Sequence, residues 1–308
     1  MPIFRLDRFL TLYFFYPLMR ILPQRKEPTI PILMYHSISE DMQHGIHPYY
    51  QTATSPRVFA EHMKFLYENN YKVINLDQAV KIFKSKETPH RSGLSNKLFN
   101  QSRNKLLFSN QQIKYLVLTF DDGYQDFYTE AFPVLQSYNY PATVFLPTGL
   151  INNRKGLKGK SHLNWNQILE LSNNGITFGS HTVSHPQLKF LKKENIELEI
   201  RQSKEVIEDN LGKPVESFSY PFAFPDEDKE FTEYLRGLLQ KYRYKHGVST
   251  RIGTTSKKND IYFMKRIPIN SCDDIPLFKT KLEGGYDWLR MPQNLYKFLK
   301  HRSGSNNV

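Results

Sequence analysis

Short β-branched or aromatic runs alternate with helical stretches along most of this chain, and that alternation restricts its fold more than any other feature. Strands are expected at 31–35, 72–76, 114–120, 141–146, 176–180, 217–221, 246–250 and 266–269. Helices are expected at 56–69, 77–84, 127–139, 164–173, 192–210 and 227–241. In the 192–210 stretch, Ile196, Ile200, Val206, Ile207 and the following Leu211 form an apolar stripe among charges. Strand, helix, strand repetition implies a mostly parallel sheet. Seven or eight such strands in 308 residues predict an α/β barrel. In such barrels the chemistry sits at the carboxyl ends of the strands.

The strand ends carry chemistry. "YLVLTFDDGY", residues 115–124, closes an apolar run on Asp121-Asp122-Gly123. Asp-Gly is a common turn signal, which accounts for Asp122-Gly123 but not for Asp121 on the apolar side. Adjacent carboxylates at a buried strand end repel and need a cation, a proton or both. "ITFGSHTVSHPQL", 176–188, places His181 and His185 four apart. Pro186 disfavours a helical His185, so a tight loop is expected there. An Asp with two His leaves coordination positions open, as a catalytic metal requires. Zn²⁺ fits, although non-haem Fe(II) oxygenases use the same set. The second carboxylate favours metal-assisted hydrolysis, which needs a base beside the metal. In "SFSYPFAFPD", 217–226, Pro221 ends a strand and exposes the backbone N–H groups of Phe222 and Ala223 to an oxyanion.

"TFDDG", "SHTVSHP" and "SYPFAFPD" together resemble, in order and spacing, the polysaccharide deacetylase family, carbohydrate esterase family four. The resemblance covers roughly residues 30–270. It implies a distorted (β/α) barrel of about seven strands and metal-dependent removal of N-acetyl groups from sugars. It implies that Asp121 is the general base, that Asp122 binds the metal with His181 and His185, and that the Phe222 N–H helps hold the oxyanion. Two positions depart from the family pattern. The arginine that orients the base is replaced by Ser219; Arg266, in "FMKRIPIN", could serve instead or form only a surface salt bridge. The C-terminal histidine motif that supplies the acid is not evident, and after residue 270 the only histidine is His301. The branch resembling biofilm exopolysaccharide deacetylases begins with a strand reading "MYH"; "LMYHS" matches it, which makes His36 the candidate acid. Tyr35, Tyr124, Trp165 and Pro221 are expected to line the sugar site.

The net charge of +12 favours anionic partners. No dense Lys/Arg block or nucleic-acid motif accompanies it, which argues against nucleic acid. The single cysteine, Cys272, excludes an intrachain disulfide and a cysteine-built zinc site. "FLTLYFFYPLM", 9–19, is uncharged, with Arg5 and Arg8 before it and Arg20, Arg25 and Lys26 after it. It is too short to span a bilayer. An interfacial anchor, a terminal segment packed on the barrel wall, or a cleaved signal peptide, for which no A-x-A-like site follows, is expected. The expected organisation is therefore an apolar and basic segment at 1–28, a catalytic domain at 29–290 with an inserted loop at 85–113, and a polar tail at 291–308. The expected activity is N-deacetylation of an N-acetylated glycan with one divalent metal, Zn²⁺ by preference, at a membrane or in the cell envelope, with the cytoplasm as the alternative location. A lipid-linked amino sugar or another amide is the alternative substrate, and a non-catalytic carbohydrate-binding member is the alternative class.

Overall fold

The computed structural model describes residues 5–22, 28–41, 46–85, 113–291 and 293. Residues 86–112 of the expected insertion, and the tail beyond 293, lie outside the described residues. The strands are β1 Ile32–Tyr35, β2 Ser37–Ile38, β3 Ala53–Thr54, β4 Tyr71–Val73, β5 Lys114–Phe120, β6 Thr143–Leu146, β7 Thr177–Ser180, β8 Ser217–Ser219, β9 His246–Ile252 and β10 Met264–Pro268. The helices are α1 Leu6–Leu10, α2 Tyr16–Ile21, α3 Pro56–Glu68, α4 Leu76–Lys84, α5 Phe132–Ser137, α6 Trp165–Asn173, α7 Lys193–Leu211, α8 Lys229–Lys241 and α9 Ile275–Leu282.

Seven parallel strands close a ring in the order β1-β10-β9-β8-β7-β6-β5, with β5 returning to β1. This is the (β/α) barrel. The expected strand at 72–76 is not one of its staves: β4 pairs only with the amino-terminal half of β5, Val73 against Leu116. Helix α9 had no counterpart among the expected helices.

The ring sorts side chains by parity, because successive strand residues face opposite sides. Ile32, Val117, Phe145, Val248 and Met264 form one cluster inside the barrel with Leu76, Ala79 and Val80 of α4. Helix α4 therefore plugs the amino end. Its start is fixed by a capping box in which Asn75 and Gln78 exchange side-chain and backbone bonds. Leu33, Tyr35, Leu118, Phe120, Val144, Phe218 and Ile267 face outward and pack with residues of the surrounding helices, among them Phe59, Leu135, Ile168, Ile200 and Leu235. On α7 the buried stripe is Ile196, Ile200, Ser203 and Ile207. Val206, expected in that stripe, is exposed, and Ser203 takes the inner place by pairing with the Ser180 hydroxyl at 2.5 Å.

The amino-terminal segment packs on the barrel wall. A π-helical turn, Thr11–Phe15, joins α1 to α2 and lets the helix run through Pro17, which has no N–H to give. Arg5 donates to the Cys272 carbonyl at 2.9 Å, the Tyr286 hydroxyl to Asp7 at 2.7 Å, and the Trp288 indole to Thr11 at 3.0 Å. Phe15 stacks on Trp288 with ring centroids 4.2 Å apart. The opposite face exposes Leu6, Phe9, Tyr13, Phe14, Leu18, Ile21 and Leu22. No helix among the described residues is long and apolar enough to cross a membrane.

Candidate active site

The parity that places Val117 inside the barrel also places Thr119 and Asp121 inside, one and two steps nearer the carboxyl end. Asp121 is 2% exposed. Arg266, on the inward parity of β10, is fully buried and meets it with two bonds of 2.7 Å, Nη1 to Oδ1 and Nη2 to Oδ2. Such fork geometry is the strong form of an ion pair. Arg266 also donates to the Ser219 hydroxyl at 3.0 Å, the Ser249 carbonyl at 3.1 Å and Thr119 at 3.3 Å. The surface-salt-bridge alternative for Arg266 is thereby excluded. Burial opposes the Asp121 charge, but the Arg266 guanidinium, then His181 and His36, hold its pKa below the ordinary carboxylate value.

Asp122 turns the chain with φ of 70°, and Gly123 continues at 59°. A Cβ at Gly123 would lie 2.7 Å from the Leu146 side chain, so glycine is required both by the backbone and by the space. The turn presents Asp122 Oδ1 to His181 Nε2 at 3.5 Å and to His185 Nε2 at 3.3 Å. One ligand atom from each of the three lies within 4.8 Å of the others. His181 donates its Nδ1–H to the Ser219 carbonyl at 2.8 Å, which fixes the tautomer and leaves Nε2 free as a ligand. Asp122 Oδ1 is buried without a hydrogen-bond partner among the described residues, an orphaned acceptor aimed between two imidazoles. These residues fit a divalent cation. Burial, then the neighbouring His181, pushes the His185 pKa down to about 4, so this imidazole is neutral and able to ligate at neutral pH.

The histidine loop is strained and braced. His185, before Pro186, has φ of 57°, and Thr182 has 70°. Positive φ at non-glycine residues clusters at functional sites, where surrounding contacts hold it. The brace is Glu199 of α7, which accepts from the Val183 and Ser184 backbone N–H groups at 2.7 and 2.9 Å. The third loop repeats the device. Phe222 has φ of 58°; its carbonyl accepts from the Thr250 hydroxyl at 2.9 Å, and that hydroxyl accepts from the Phe224 N–H at 2.9 Å. Among the described residues no acceptor takes the Phe222 N–H. The exposed Phe222 ring lies 4.7 Å from the His185 ring, centroid to centroid, and forms a wall of the mouth. Nothing in the sequence pattern singles out Glu199 or Thr250, because each acts only through a loop distant in sequence.

His36 follows β1, which pairs with β5 in the register Tyr35 to Phe120 and receives the Asp121 N–H on the Tyr35 carbonyl at 3.0 Å. His36 therefore stands on the inward parity beside Asp121. Burial lowers its pKa, while Asp122 and Asp121 pull the other way. Tyr35, expected at the sugar site, is on the opposite parity. It is fully buried in the outer layer, stacked on Phe120, with its hydroxyl 3.2 Å from His62 Nδ1, and does not reach the mouth. Tyr124 is almost fully buried; burial, then the Asp122 charge, raises its pKa. Trp165 opens α6 and packs half-buried against the outer cluster. Pro221 is buried under its loop.

The carboxyl rim of the parallel barrel thus brings together a carboxylate, two imidazoles and a second, arginine-held carboxylate. Residues 109–245 match the polysaccharide deacetylase family model. The chain is 27% identical over 245 residues to YxkH of Bacillus subtilis (strain 168), which bears the name polysaccharide deacetylase; the match covers 80% of this chain and 73% of that protein. It is 23% identical over 162 residues to a poly-beta-1,6-N-acetyl-D-glucosamine N-deacetylase of Staphylococcus aureus (strain MRSA252), covering 50% of this chain and 53% of that one. The Streptococcus pyogenes deacetylase PplD, solved in complex with acetate, shares the fold with a TM-score of 0.63 at 24% identity, over 83% of this chain and 99% of that one.

Proposed function

We propose that this chain is a divalent-metal N-deacetylase of an N-acetylated amino-sugar glycan, working at an anionic membrane surface. The observation that carries the catalytic reading is the buried, arginine-clamped Asp121 beside the convergent Asp122, His181 and His185. Asp122, His181 and His185 would hold the metal; the oxygen and nitrogen donors suit Zn²⁺, which supplies Lewis-acid polarisation of the acetamide carbonyl and of the attacking water. Asp121, kept ionised by Arg266, takes the proton of that water. The Phe222 N–H faces the carbonyl oxygen as its charge develops. His36 gives a proton to the nitrogen as the C–N bond breaks, so the products are acetate and a free amine. Asp121→Asn should retain metal and lose about 10²–10⁴-fold in acetate release from an N-acetylglucosamine oligomer. Unchanged release in the presence of a chelator, or loss of metal in Asp121→Asn, would defeat this assignment of roles.

The membrane part rests on the helix face of Leu6, Phe9, Tyr13, Phe14, Leu18, Ile21 and Leu22, which points away from the barrel with Arg20 exposed at its end. An apolar face with a basic flank suits the headgroup boundary of an anionic bilayer, and the net charge of +12 adds attraction. A surface-held enzyme could meet either a polymer or a lipid-linked sugar, and acetate release from the two substrates separates those readings.

A further inference from the structure

The amino end of the barrel holds a second set of ligand-type residues, far from the catalytic rim. Glu216 immediately precedes β8, His246 opens β9, and Asp77 sits in the first turn of the plug helix α4. One ligand atom from each lies within 4.8 Å of the others. They line a cavity of about 120 Å³ together with Asn75, Thr143 and Thr177. That is room for an ion and a water.

His246 makes this more than two acidic residues near each other. It is 3% exposed, and neither Nδ1 nor Nε2 has a hydrogen-bond partner among the described residues. An imidazole buried with both nitrogens unpaired loses its hydration and gains nothing, unless a ligand that the protein atoms do not include completes it. The groups within its reach are the two carboxylates. Each of these also has a lysine: Lys81 lies 2.6 Å from Asp77, and Lys245 pairs with Glu216. Both lysine side chains are more than half exposed, and exposed pairs of this kind are weak and readily exchanged. A dication between two carboxylates and one neutral imidazole would be charge-balanced, and His246 would supply the nitrogen donor that distinguishes Zn²⁺ from Mg²⁺ or Ca²⁺.

We propose that Asp77, Glu216 and His246 form a second divalent-cation site, selective for Zn²⁺, that clamps the plug helix α4 to the starts of β8 and β9. The cation is structural. It joins a helix held otherwise by apolar contact to β8, whose other end carries the Phe222 loop, and to β9, which carries the Thr250 that braces that loop.

The test is zinc stoichiometry on metal-depleted full-length protein, by titration calorimetry and elemental analysis, with circular dichroism to establish folding. Two equivalents are expected for the unmodified protein, one each for His181→Ala and His246→Gln, and none for the double variant. Zinc should still raise the melting temperature of His181→Ala and should not raise that of His181→Ala/His246→Gln. Asp77→Asn, a half-exposed change that leaves the core untouched, should weaken the second equivalent at least tenfold; unaltered affinity removes Asp77 from the site. One equivalent in the unmodified protein that vanishes in His181→Ala overturns the proposal. One equivalent that vanishes only in His246→Gln leaves it standing and overturns the metal reading of the catalytic rim.

Discussion

Arg266 and His36 show what a single position can reveal and what it hides. Both were recognisable from the sequence as residues at strand ends, and the fork between Arg266 and Asp121 gives the first a definite task. Arg266→Met would leave a buried carboxylate without its partner, which costs about 3–5 kcal/mol. The denaturation midpoint should fall accordingly, and acetate release should fall with it. Arg266→Lys, which keeps charge without the planar fork, should recover stability more than turnover. An unaltered midpoint in Arg266→Met would mean the pair is energetically idle. For His36 the expected signature is selectivity. His36→Ala should lower amide turnover by about 10²–10⁴-fold while sparing an activated aryl acetate, whose leaving group needs no proton. Equal losses on both substrates would point to a positioning role. Tyr35, one residue earlier, was legible as apolar but not by facing, because a strand's inside and outside are fixed only once its neighbours are known.

Elements were easier to read than their partners. The 114–120 strand and the 164–173 helix were evident from run length and periodicity, whereas β4 looked like any other stave although it lies outside the ring. In the amino-terminal segment one face meets the expectation of a packed terminus, and the other is the ground of the membrane proposal. Its inner face is tied to the barrel through Arg5, Asp7, Thr11 and Phe15, and its outer face is apolar. Deleting it would uncover Trp288 and Tyr286, so surface substitution is the cleaner probe. Phe14→Glu/Leu18→Glu should cut binding to phosphatidylglycerol vesicles by tenfold or more, since each side chain offers roughly 1.5–3 kcal/mol of burial. Turnover of a soluble oligomer should be unaffected. Vesicle binding equal to that of the unmodified protein would remove the membrane reading, and concentration-dependent self-association abolished by the same pair would assign the face to a second copy.

At the scale of the whole molecule, the barrel is stratified. From the amino end upward come the α4 plug, an apolar layer of Ile32, Val117, Phe145, Val248 and Met264, the Arg266 guanidinium, and then Asp121. Order along the chain does not disclose this stacking, which is why Arg266 could be nominated but not placed. If height alone matters, Arg266→Ser/Ser219→Arg should regain part of the activity that Arg266→Ser loses, with the guanidinium now delivered from β8; no recovery would show that the direction of approach matters as well. A closed ring has neither a first nor a last stave. A chemical part can therefore migrate from one end of a gene to the other and still arrive at the same point in space, as a numeral keeps its place on a clock face wherever the count begins.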